Sequence, residues 1–162
     1  MSMRKKTLIS CLVTILISET AVQAALTFPS QCKVSGLRYD QGQLVLFAQH
    51  TAKPRLYAIQ NRSKYALWVV HTGEGMSAGW DTQFSSNHWS SILITRPMLA
   101  LSCHLSLKND KLKTVPCQSV LRVCQFSQWY AKHPISGGYW VAENLPLPKM
   151  MSHMHARGFV VG

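Results

Sequence analysis

From Leu99 to Leu107 every second residue is apolar. Leu99, Leu101, Cys103, Leu105 and Leu107 alternate with Ala100, Ser102, His104 and Ser106. A period of two marks a strand with one buried face, whereas a helix would scatter these leucines around its circumference. The same alternation returns in Val115, Cys117, Ser119, Leu121 and Val123, with Asn109-Asp110-Lys111 as the turn between. Other apolar runs are short: Leu44 to Ala48, Arg55 to Gln60, Tyr65 to His71, Trp89 to Thr95 and Tyr139 to Ala142. Asn61-Arg62-Ser63 between two of them reads as a hairpin turn. About seven or eight short strands with frequent turn residues predict an all-β fold, a single antiparallel β-sandwich of Ig-like, Greek-key type. The one long interruption, Gly73 to His88, reads as a glycine-containing loop anchored by Trp80 and Trp89. Pro146 and Pro148 set off residues 146–162 as a C-terminal tail, with a turn or two of helix at 149–157.

The N-terminus changes the picture. Arg4, Lys5 and Lys6 precede an apolar run from Leu8 to Ile17, and the small-residue pattern Val22-Gln23-Ala24 follows. That is the layout of a cleaved signal peptide over residues 1–24. The run is shorter than the ~20 residues a membrane span needs. Leu8-Ile9-Ser10-Cys11 imitates a lipoprotein box, but cleavage there would leave almost no apolar segment for export, so Cys11 is read as part of the signal. The mature protein is then a disulfide-bonded β-domain over 25–145 plus the tail, periplasmic or secreted, without a transmembrane segment.

Removing residues 1–24 takes Arg4, Lys5, Lys6 and Glu19 from totals of 17 basic and 6 acidic side chains, leaving 14 and 5, a net charge of +9. Cys32, Cys103, Cys117 and Cys124 remain, an even number that implies disulfides in an exported chain. Of three pairings, a hairpin turning at Asp110 favours Cys103 with Cys117, and elimination leaves Cys32 with Cys124. The basic charge is spread. Lys53, Arg55, Arg62 and Lys64 belong to one region, and Lys108, Lys111 and Lys113 to another. Such a surface attracts polyanions. Export makes nucleic acid an unsuitable partner and leaves an anionic envelope polymer, lipid head groups, or an envelope or host protein.

Catalytic signatures are not expected. The chain is read as lacking both a nucleophile elbow and a His-Glu-x-x-His zinc helix. The segment Gly73 to Asp81 lacks the lysine and the strand–helix context of a phosphate loop. His71, His88 and His104 have no spacing that demands a zinc site. The Met/His run Met150 to His155 offers soft ligands suited to copper, with His153, Met154 and His155 the foremost candidates, against the plainer reading of a flexible tail. No cofactor is otherwise expected.

Gly79-Trp80-Asp81-Thr82, Trp89-Ser90, the Cys103, Cys117 and Cys124 set, and Tyr139-Trp140-Val141-Ala142-Glu143-Asn144 together resemble the EnhB family of enhanced entry proteins, small exported proteins of Legionella and Coxiella. The resemblance implies a link to entry into host cells, and no reaction, cofactor or binding residue. The leading expectation is therefore a non-enzymatic binding or accessory domain of a bacterial envelope. Its surface would be built on Trp80 and Asp81, with Arg55, Arg62 and Lys64 as a supporting field. A copper-binding protein and an envelope hydrolase with an unfamiliar site are the alternatives.

Overall fold

The computed structural model describes residues 28–48, 53–71 and 81–162. Among these, thirteen strands form: β1 Cys32–Lys33, β2 Leu37–Asp40, β3 Gln43–Phe47, β4 Arg55–Asn61, β5 Leu67–His71, β6 Thr82–Phe84, β7 Trp89–Ile94, β8 Met98–Ser106, β9 Leu112–Val115, β10 Leu121–Phe126, β11 Trp129–Ala131, β12 Tyr139–Leu145 and β13 Phe159–Val161. Two helices join them, α1 Cys117–Val120 and α2 Leu147–Ala156. Among the described residues the strand pairs are antiparallel. One sheet runs β1-β10-β4-β7-β12, a second β2-β3-β8-β5-β6 with β9 on β8, and β11 pairs with β13 alone. The all-β expectation holds.

Leu44 and Leu46 of β3, Leu67 and Val69 of β5, and Leu99, Leu101 and Cys103 of β8 meet Tyr57, Ile59, Ile92 and Trp140 of the five-stranded sheet in one buried cluster. The alternation along β8 thus marks this inner face. The five-stranded sheet is also covered behind. Leu56 and Ala58 of β4, Leu93 of β7 and Cys124 of β10 face a second cluster that holds Met150, Met154 and Phe159. Strands buried on both faces lose the polar half of their alternation. Every residue of β7 is buried, as is all of β4 after Arg55.

Residues 146–162 were expected as a tail and are instead part of this second core. Pro146 and Pro148 do not break the segment; they start α2, where a missing backbone N–H costs nothing because the first turn has no acceptor for it. Arg157 then clamps the helix end to β12, its guanidinium donating to the Trp140 and Val141 carbonyls at 3.2 and 2.6 Å and lying over the Tyr139 ring.

The expected hairpin at Asn61-Arg62-Ser63 is a crossing between sheets, since β4 pairs with β10 and β7 while β5 pairs with β8 and β6. Buried Asn61 makes the corner. Its amide donates to the Tyr65 and Phe84 carbonyls, and its oxygen accepts from the Ser63 backbone and hydroxyl. A side chain that satisfies the turning backbone from within relieves it of pairing with a neighbouring strand.

Both expected disulfides form, Cys32–Cys124 and Cys103–Cys117, with Cα atoms 5.4 and 5.3 Å apart. The register beneath the second differs from the expected one. Cys103 stands opposite Val115, so the turn centres on Asn109, which takes a left-handed φ of 66°. Pro116 ends β9 and α1 follows, carrying Cys117 back over the strand. The single long strand read from Val115 to Val123 is therefore two strands in different sheets with α1 between.

Candidate binding groove

An open groove of about 1010 Å³ lies where the start of β4 and the end of β10 meet the small sheet β11–β13. Three stretches far apart in sequence line it: 53–55, 126–135 and the last residues of the chain. The register explains how β11 presents its side chains. Trp129 and Ala131 pack against the second core, with the Trp129 and Phe159 rings 6.0 Å apart. Tyr130, one residue out of phase, stands opposite Val160 on the other face and is 59% exposed. Lys53 and His133 are exposed on the groove and Arg55 is half-buried in it. No Asp or Glu side chain lines it. Neutral hydrogen-bonding groups come from Ser127 and Gln128. Cations, an open aromatic ring and an amide are equipment for holding an anionic ligand, and nothing among the lining residues pairs a nucleophile with a base.

The structure divides the surface expected from the sequence. Arg55 begins β4 and lies on the groove. Arg62 and Lys64 flank the Asn61 corner at the strand's opposite end, where the Lys64 ammonium sits 5.3 Å from the Tyr65 ring centroid. The Asp81 carboxylate instead accepts the His71 backbone N–H at 2.8 Å. Trp80 lies outside the described residues, as does Glu74. The stretch Gly73 to His88 is not one loop, because Thr82–Phe84 is a strand paired with β5.

Two sequence readings are corrected here. The chain does carry the Gly-x-Ser-x-Gly spacing, as Gly75-Met76-Ser77-Ala78-Gly79. A nucleophile elbow joins a strand to a helix. This pentapeptide connects two antiparallel partners, β5 and β6, and lies outside the described residues. The copper trio also comes apart. His153, Met154 and His155 are consecutive on α2, and a helix turns ~100° per residue. Met154 is fully buried in the second core while both histidines are exposed.

The remaining histidines are dispersed. His88 contacts the Asn144 side chain at 2.8 Å, and His71 closes β5 opposite Leu101. Among the described residues no three His, Cys, Asp or Glu side chains are placed to hold a metal ion. His104 lies between the Ser102 and Thr114 hydroxyls, 3.0 Å from each. The i, i+2 spacing of a strand puts Ser102 and His104 on one face, a signal that was legible in the sequence. Such a chain orients a serine, but a serine nucleophile also draws on a carboxylate behind the imidazole. The third member here is neutral, and Asp40, Asp81 and Glu143 are engaged by Arg38, the His71 backbone and Thr82.

Burial, offset in part by the Phe47 carbonyl bond and by Arg55, pushes the Tyr57 hydroxyl up to about 12. Its oxygen lies 2.6 Å from the carbonyls of both Gly36 and Phe47, tying the residue before β2 and the end of β3 to β4. Two intramolecular disulfides indicate an oxidising, extracytoplasmic environment. Among the described residues no helix is long and apolar enough to cross a membrane. No protein-family model, no curated protein and no solved structure matches this chain.

Proposed function

We propose that the protein is an exported, non-enzymatic binding or accessory module of a bacterial cell envelope, linked to host-cell entry, and that the β11 groove is its recognition surface. Residues 1–24 act as its cleaved signal, and the periplasm or the cell exterior is its working compartment. The two facing sheets serve as one antiparallel sandwich that holds the groove rigid. The observation that carries this reading is the lining itself: Lys53, Arg55, His133 and an exposed Tyr130, with no acidic side chain among them. The chain's charge agrees. Residues 25–162 carry 14 Lys and Arg side chains against 5 carboxylates, an excess of nine positive charges. Those charges draw an anionic polymer or an acidic protein face and weaken with salt.

The test is retention of residues 25–162 on an immobilised polyanion, eluted by a salt gradient. Lys53→Glu should elute earlier than the parent protein. Equal elution would remove the groove from this role. Covalent labelling by a serine-reactive phosphonate would support the hydrolase alternative instead.

A further inference from the structure

We infer that the ligand of the β11 groove is an acidic polysaccharide, its sugar rings stacked on Tyr130 and its carboxylate or sulfate groups held by Lys53 and His133. This rests on the binding-module reading and adds a ligand class to it. The argument begins from what a bare polyanion would not need. Polyphosphate or a run of acidic side chains asks for cations alone. This groove also presents aromatic side chains, the most open being Tyr130 beside the partly buried Trp129, together with the neutral Gln128 and Ser127, whose hydroxyl donates to the Gln31 carbonyl and keeps its acceptor side. A pyranose ring has a face of C–H groups that covers an aromatic ring and a rim of hydroxyls that needs amides and hydroxyls as partners. Cation, aromatic and amide side by side match a sugar bearing negative charge.

The geometry separates this ligand from the other anionic classes. A bilayer is flat on this scale, and the groove is concave. Of the large apolar side chains exposed among the described residues, Tyr130 alone lines it, too little to insert into lipid. An acidic peptide added as a strand would use backbone groups and would have little use for an exposed ring. The Tyr130 ring is 59% exposed beside its cross-strand neighbour Val160, while Trp129 and Ala131 turn the other way into the second core. The platform is fixed from beneath. β11 is pinned at both ends of its pairing with β13, by Lys132 donating to the Gly158 carbonyl at 2.9 Å and by Gly162 donating to the Gln128 carbonyl at 3.2 Å.

The experiment compares four polymers by calorimetry at one ionic strength: dextran sulfate, neutral dextran, polyglutamate and a single-stranded oligonucleotide. Dextran sulfate should bind most tightly. Tyr130→Ala, with folding checked by circular dichroism, should lose about tenfold in affinity for it, the scale of one stacked ring. Tyr130→Phe keeps the ring and should retain binding, and Lys108→Glu, away from the groove, should behave as the parent. Undiminished binding by Tyr130→Ala overturns the inference. So does polyglutamate or the oligonucleotide binding as tightly as dextran sulfate, which would leave the anionic groove standing with a different ligand. No binding of any polyanion overturns the groove reading as well.

Discussion

The backbone N–H of Lys132 donates to the carbonyl of Gly158 at 2.9 Å, fastening the end of β11 to the turn that follows α2. The groove therefore depends on the segment after Pro146. Gly158 has a φ of +84°, and a Cβ there would lie 3.2 Å from the His133 ring. An L-residue pays ~1–2 kcal/mol in the left-handed region. Gly158→Ala should lower Tm by about 3–8 °C. It should also perturb the His133 ring resonances in an NMR spectrum. An unchanged Tm would show that the turn relaxes freely.

Met154 is a core residue. Met154→Ala should cost about 2–5 kcal/mol in a urea titration. His153→Ala and His155→Ala, both exposed, should change stability by less than about 0.5 kcal/mol. Ending the chain at Lys149 should destabilise the whole protein. Copper(I) titration should reveal no tight site that depends on Met154. A stable truncated protein would contradict the second core.

The limits of sequence reading follow from this two-sided burial. β8 was legible because its inner residues face the core and its outer ones, Ser102 and His104, are only partly covered. β4 and β7 lost their periodicity because the second core, which includes α2, covers their backs. The disulfide pairing was legible although its register was not, since nothing in Asn109 or Pro116 announces that the turn is one residue earlier and that a helical turn carries Cys117. Asn61 read as an ordinary hairpin residue because one of its partners, Phe84, is distant in sequence and sits on the other sheet. The groove was invisible for a simpler reason. Lys53, Tyr130 and Val160 are distant in sequence, and of the groove's residues the basic pattern marks only Lys53 and Arg55.

Alkaline pH should expose the Tyr57 bond. The folded state holds this proton to about 12, above the ordinary 10. Its contribution is therefore complete below pH ~10 and is lost as pH rises through the folded value. Tyr39, also raised by burial, adds in the same direction. Unfolding free energy should fall between about pH 10 and 12, and Tyr57→Phe should flatten that limb. It should also cost about 1–3 kcal/mol at neutral pH by leaving the Phe47 carbonyl short of a donor, whereas the Gly36 carbonyl keeps the Phe47 backbone N–H. A variant with the parent's alkaline limb would contradict this assignment.

Reduction should matter more at Cys32–Cys124 than its position at the edge strand suggests, because the bridge closes a separation of 92 residues. Replacing both cysteines with serine should cost roughly 2–5 kcal/mol. Peptide mapping without reductant should recover Cys32 with Cys124 and Cys103 with Cys117, and no free thiol in residues 25–162.

The central claim is that the β11 groove, rather than the Asn61 corner or the Lys108–Lys113 turn, is the recognition surface. A titration of ¹⁵N-labelled residues 25–162 with dextran sulfate, followed by amide shift changes, addresses it directly. The account predicts that the largest changes fall on Lys53, Arg55 and the stretch from Ser127 to His133, and that they diminish with added salt. Changes centred on Arg62 and Lys64, or on Lys108, Lys111 and Lys113, with the groove amides unmoved, would contradict it.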